Sequence, residues 1–312
     1  MPSASTDPLA APRSRARRAT SSLLAAIGLF CAAGAAADPI DASRIVSIGG
    51  SVTEIVFDLG AGDRVVGVDT TSLYPPEALK TKPNVGYMRA LSAEGILSLK
   101  PTAVVAIEGS GPPAALKLVA DAGAPLVAIR DDPTPEGVAA KIETLGQLLG
   151  EVPKAEAMAR ETRARFAALD ALRGQIKAPV RALFVLSLQN GRAMAAGAGT
   201  AADAAIRLAG AVNAASGMDG YKPMTDEALA SAAPDVILKM TNGGGMVGSA
   251  DEVFALPAFA RTPAAAKQAL IGVDGVALLG FGPRTPDALR DLMAALYPDL
   301  SLPPLPRLAS VP

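Results

Sequence analysis

The stretch Gly86-Tyr87-Met88-Arg89-Ala90-Leu91-Ser92-Ala93-Glu94 running on to Lys100-Pro101 returns in diluted form as Gly220-Tyr221-Lys222-Pro223-Met224-Thr225-Asp226-Glu227 running on to Ala233-Pro234. In both copies a Ser or Thr stands two residues before a Glu and nine before a Pro. An apolar run then follows, Ala103 to Ile107 in one copy and Val236 to Leu238 in the other. An internal repeat of this kind constrains the chain to two versions of one lobe, each presenting a Gly-Tyr turn. Two tyrosines, Tyr87 and Tyr221, are then expected to face one cleft.

An absence narrows the chemistry. The 312 residues contain no His, and Cys31 is the single Cys. Residues 1–37 carry Arg13, Arg15, Arg17 and Arg18, an uncharged run from Ala19 to Ala36, and Ala35-Ala36-Ala37 before Asp38. This is the pattern of a secretory signal peptide cut after Ala37, and it predicts an exported, periplasmic product. A bulky Phe30 before Cys31 argues against lipid attachment there, and the residues after Arg17-Arg18 fit a twin-arginine signal poorly. Cleavage leaves 25 basic against 29 acidic residues, a net charge of −4. No basic surplus recommends nucleic acid or anionic lipid as a partner. Without Cys31 no disulfide can form, so stability must come from core burial.

The remaining pattern alternates strands and helices, which argues for α/β architecture with parallel sheets covered by helices. Strands are expected at Arg44 to Ile48, Val65 to Val68, Ala103 to Ile107, Leu126 to Ile129, Ala182 to Leu188 and Val236 to Leu238. Ser51 or Thr53 is a candidate cap for the helix carrying Ile55, Val56 and Leu59, and Ser92 caps the helix running to Leu99. Further helices are expected near 114–122 and 200–208, and a last one from Thr285-Pro286-Asp287. Both Tyr motifs read as loops. From Pro153 to Ile176, Met158, Thr162, Phe166, Leu169, Leu172 and Ile176 recur on one helical face. Its ~24 residues would span ~36 Å, enough for a rigid strut between lobes at 38–152 and 178–312.

Together the run Arg44 to Asp69, the Tyr74-Pro75-Pro76 turn, Tyr87-Met88-Arg89, the Ser-x-Glu helix into Lys100-Pro101, the long middle helix and Gly280-Phe281-Gly282-Pro283-Arg284-Thr285-Pro286 resemble the periplasmic haem-binding proteins of bacterial ABC haem importers. The wider class also binds cobalamin and ferric siderophores. The resemblance covers about residues 44 to 298. It implies two Rossmann-like βα lobes joined by one long helix, with the ligand in the cleft between them. It also implies a monomer that carries haem b to an ABC permease and its ATPase, downstream of an outer-membrane haem receptor. By the same resemblance Tyr87 is the iron ligand and Arg89 its supporting cation, while Glu94 and Glu227 dock one lobe each on the permease. A ferric siderophore or a corrinoid is the alternative ligand, recognised through Arg89 as a charge.

Elementary chemistry fits the haem expectation. With His and Cys excluded, the axial candidates are Tyr, Met or a neutral Lys, and a phenolate is the hard anionic donor suited to ferric iron. A free phenol ionises near pH ~10, so the metal and a neighbouring cation must favour the phenolate at neutral pH. Tyr221 lacks an Arg two residues on and is expected to contact the ligand or close the cleft, whereas Tyr74 and Tyr297 read as structural. Lys222 and Arg284 are candidates for the haem carboxylates. Met194, Met224 and Met246 fall in segments that could line the cleft, although Met is commonly a core filler. Ser-His-Asp, Cys-His and His-based zinc catalysis are impossible here, and the glycines at 109–111 and 243–245 lack the Lys-Ser/Thr ending of a phosphate loop. The expected activity is binding, with no catalysis.

Overall fold

The computed structural model describes residues 40–189, 191–242 and 247–307. The leader with Cys31 and Ala37, the glycines 243–245 and Met246 lie outside the described residues.

The first lobe begins with β1 (Ile45–Ile48), whose four side chains are all buried, and helix α1 (Gly50–Asp58). A 3-10 turn at Gly62–Arg64 leads to β2 (Val65–Val68) and α2 (Pro76–Thr81). The two-residue strands β3 (Gly86–Tyr87) and β4 (Ala90–Leu91) follow, then α3 (Ala93–Ser98), β5 (Ala103–Ile107), α4 (Pro113–Asp121) and β6 (Leu126–Ile129). Strands β2, β1, β5 and β6 lie side by side in that order, all parallel. Inner strands covered on both faces must be apolar throughout, which explains the unbroken runs at β1 and β5.

Helices α5 (Pro135–Leu149) and α6 (Val152–Arg173) pack against each other and carry the chain to the second lobe. Thr134 caps α5 by accepting from the Gly137 amide. The packing is tight: a Cβ on Gly146 would lie 2.1 Å from that of Ala155, so only glycine permits the approach. Ala155, Ala159, Thr162, Phe166, Leu169 and Leu172 form the buried face of α6, as the spacing predicted from Thr162 onward. Met158 is only half-buried, and Ile176 lies beyond the helix end.

The second lobe contains β7 (Arg181–Gln189), β8 (Arg192–Ala196), α7 (Ala201–Leu208), β9 (Val212–Asn213), β10 (Tyr221–Pro223), α8 (Asp226–Ala232) and β11 (Val236–Met240). Short helices α9 (Ala250–Phe254), α10 (Pro257–Ala260) and α11 (Pro263–Ala266) precede β12 (Leu270–Val273), α12 (Gly275–Leu279) and the closing α13 (Thr285–Leu296). Strands β9, β7, β11 and β12 are parallel and repeat the first sheet's order. The second lobe adds β8 and β10, antiparallel to β7 and β8 respectively. The expected two-lobe α/β architecture is therefore present, enlarged by this antiparallel edge.

One cap differs from expectation. Gly49 is the N-cap of α1 and no side chain caps it. Ser51 and Thr53 are buried within the helix, where the Thr53 hydroxyl pairs with Ser47 (2.8 Å) and Ser72 (2.7 Å). Asp69 collects the Gly49 amide, the Ser72 hydroxyl and Thr71, fixing the loop after β2 to the end of β1.

Candidate functional site

The two Tyr motifs occupy comparable places in different local structures. Tyr87 lies on a hairpin in which Gly86 pairs with Leu91 and Tyr87 with Ala90, leaving Met88 and Arg89 as its two-residue turn. The hairpin is seated on the C-terminal edge of the first sheet. The Thr70 amide donates to the Gly86 carbonyl (2.9 Å), the Gly111 amide to Met88 (2.8 Å) and the Leu91 amide to Gly111 (3.0 Å). Gly86 has φ 103°, and a Cβ there would fall 2.9 Å from the Ala90 carbonyl oxygen, so a side chain would displace the hairpin. Tyr87 is 45% exposed, and Arg89 is exposed beside it.

Tyr221 begins strand β10, paired with Ala196, rather than standing on a loop as the sequence suggested. It too follows a glycine in the left-handed region, Gly220 at φ 69°. Its hydroxyl is directed to the start of α7, toward the Ala202 amide and the Thr200 hydroxyl. The residue as a whole is 37% exposed, but desolvation at its hydroxyl raises its pKa; Ala202, the Arg89 charge and Thr200 partly offset this, and Tyr87 adds to the rise. Tyr221 is thus a protonated phenol within electrostatic range of both Tyr87 and Arg89, which brings these three predicted residues to one place.

The cationic candidates separate. Alternation along β10 sends Lys222 to the face opposite Tyr221; it is exposed and joins none of the ion pairs among the described residues. Arg284 is engaged by the protein's own carboxylates. Its guanidinium lies 3.1 Å from Glu54 and 3.6 Å from Asp274, and stacks 3.9 Å above the Tyr74 ring. Tyr74 therefore supports Arg284, and Tyr297 binds the chain internally by donating to the Gly210 carbonyl (2.7 Å). Met224 is buried and Met194 half-buried.

The acidic pair retains its repeat symmetry. Ser92 accepts from the Gly95 amide at the start of α3, and Thr225 from the Ala228 amide at the start of α8. Glu94 and Glu227 occupy equivalent exposed positions in these first turns. Lys100 and Ala233, each just before the matching Pro, both have positive φ, 48° and 43°. The Glu227 carboxyl is held below its ordinary pKa by its own amide and Thr225, with a contribution from Arg192. Beside it lies an open depression of about 390 Å³ lined by Arg192, Thr225, Asp226 and the Leu256–Ala258 turn.

Among the described residues, no cluster of three or more His, Cys, Asp or Glu side chains could hold a bare metal ion. No helix among them is long and apolar enough to cross a membrane.

Known proteins place these features in context. The chain is similar to the periplasmic heme-binding protein RhuT from Roseiflexus sp. RS-1 in its apo form: 41% identity, TM-score 0.77, 83% of this chain and 99% of that one. It is 30% identical over 259 residues to YvrC of Bacillus subtilis, described as an uncharacterized ABC transporter substrate-binding lipoprotein, covering 82% of this chain and 80% of YvrC. A vitamin B12-binding protein of Photorhabdus laumondii is 32% identical over 126 residues, 40% of this chain and 45% of that protein. The sequence model of the family described as periplasmic binding protein matches residues 45–277, which include both repeated motifs and the long helix between them. By that match, and by its two-lobe fold, the chain belongs to the periplasmic binding proteins, a family of substrate-binding transport proteins.

Proposed function

We propose that this chain is exported to the periplasm, captures one ferric haem b between its lobes and delivers it to an ABC permease. The observation that carries this reading is the exposed Tyr87-Met88-Arg89 hairpin facing Tyr221 from the second lobe. Tyr87 supplies the phenolate to iron, and Arg89 stabilises its negative charge. Tyr221, kept as a phenol, contributes a hydrogen bond and an aromatic face to the opposite side of the ligand. Lys222 starts on the face opposite Tyr221, so its assignment to the haem carboxylates requires its flexible stem to wrap around the exposed edge of β10. Arg284 is spent on Glu54 and Asp274. Glu94 and Glu227, exposed and symmetric, each meet a cation of the permease.

The likeness to RhuT, a periplasmic heme-binding protein, supports haem as the ligand. The partial likeness to a vitamin B12-binding protein makes cobalamin the reading to test beside it. Titration of the purified protein with ferric haem should give saturable one-to-one binding with phenolate-to-iron charge-transfer absorption. Saturable binding of cobalamin or a ferric siderophore, with only weak haem association, would replace the haem assignment.

A further inference from the structure

The seam between the lobes contains an ionic network that ligand capture does not use. Glu54 of α1 is 2% exposed. It accepts one aligned hydrogen bond, from the Arg284 backbone amide to Oε1 (3.0 Å). Arg284 Nε stands 3.1 Å from Oε2, but its N–H is not aimed at that oxygen and has no acceptor. A buried carboxylate needs several aligned donors to remain charged without penalty. Glu54 has its counter-charge nearby and its hydrogen bonding incomplete.

The surroundings tie one lobe to the other. Lys141 of α5 is fully buried, and its three N–H donors are shared among Ser51 (3.2 Å) and Asp131 (2.9 Å) in the first lobe and the Gly280 (3.3 Å) and Phe281 (3.2 Å) carbonyls in the second. Glycines 280 and 282 let that second-lobe turn approach α1; a Cβ on Gly282 would lie 3.2 Å from Ser51. Further charges lie on the elements packed around this seam. Asp58 lies one turn along α1, Asp274 caps α12, Asp131 and Asp132 precede α5, and Arg165 of α6 pairs with Asp287 beside Arg284.

We propose that Glu54 is a proton-operated wedge in the interlobe seam: the seam is closed while Glu54 is neutral, and ionisation drives it toward an arrangement that admits water or realigns Arg284. The direction follows from linkage. Desolvation raises Glu54 to about 7 in the closed seam, against the attraction of Arg284 and with repulsion from Asp58. A solvated carboxyl returns toward 4.5. The closed state therefore binds the proton more tightly, and acid favours closure. Between complete protonation and complete ionisation the closed-to-open ratio falls by roughly three hundredfold, the equivalent of that pKa difference. The consequence for uptake rests on the haem-capture reading: ligand should be held more tightly below pH ~7 and released more easily above it.

The test is interlobe distance in the ligand-free protein. In the chain beginning after Ala37, and so without Cys31, dyes placed at the exposed positions Ala122→Cys and Ser231→Cys report one lobe each by single-molecule energy transfer. From pH 5.5 to 8.5 the distance should lengthen or broaden with a midpoint near Glu54's pKa of about 7. In Glu54→Gln it should stay at the acid value throughout. A distribution unchanged by pH in the unsubstituted seam overturns the proposal, whether or not Glu54→Gln folds. So does a transition of the same midpoint in Glu54→Gln. No ligand is present, so failure of haem to bind would be a separate result against the functional reading alone.

Discussion

Tyr87 and Tyr221 begin from the same Gly-Tyr motif and end in different chemistry. Tyr87 rides a four-residue hairpin held by backbone bonds to the edge of a sheet, with Arg89 in its turn. Tyr221, 37% exposed as a residue, is set into an antiparallel strand with its hydroxyl against the start of α7, where desolvation raises its pKa. The repeat supplies one tyrosine to each lobe, and the β8–β10 addition in the second lobe changes what its tyrosine can do. Only the first lobe combines an accessible phenol with a cation two residues away.

That asymmetry can be broken by substitution. If Glu94 and Glu227 are the docking points, reversing both to Lys should abolish haem-dependent growth of a reporter strain while purified protein binds haem normally. Growth retained at the parental rate would remove the docking role. Tyr87→Phe should weaken haem binding by about two orders of magnitude or more, because a metal bond is lost. Arg89→Ala should cost roughly tenfold to a hundredfold in affinity, as for a hydrogen bond to a charged group, and shift the ferric spectrum. Tyr221→Phe removes one neutral hydrogen bond, so roughly a fivefold loss with an unchanged charge-transfer band is expected in the same titration.

A separate effect lies away from these tyrosines. Glu54, raised from 4.5 to about 7 by burial, binds its proton more tightly in the folded chain than in the unfolded one. Its contribution to stability is full below pH ~4.5 and is lost as pH rises through ~7. Chemical denaturation should show Glu54→Gln gaining on the parent across this window. Parallel pH profiles would remove that assignment.

Much of the fold was legible because buried parallel strands announce themselves. The limits of β2, β5 and β6 agree with the apolar runs that predicted them. The caps at Ser92, Thr200 and Thr225 follow their side-chain chemistry. Helix α5 is absent from the sequence expectations although Thr134-Pro135-Glu136 carries a start signal. Strand β8 reads Arg-Ala-Met-Ala-Ala, a composition with no strand preference, and tertiary pairing alone makes it extended. Ser51 and Thr53 resembled caps, yet glycines 49 and 50 begin the helix before them and burial turns Thr53 toward Ser47 and Ser72. The engagement of Arg284 was hidden for a different reason. Its partner Glu54 lies 230 residues away in sequence, and no local pattern records such a pairing.

The asymmetry between the two tyrosines is tested most directly by recording ferric haem titrations of Tyr87→Phe and Tyr221→Phe side by side in the visible range. The account predicts that the phenolate-to-iron band disappears in the first and persists in the second. A band that survives in Tyr87→Phe and vanishes in Tyr221→Phe would contradict it, and would move the iron to the second lobe.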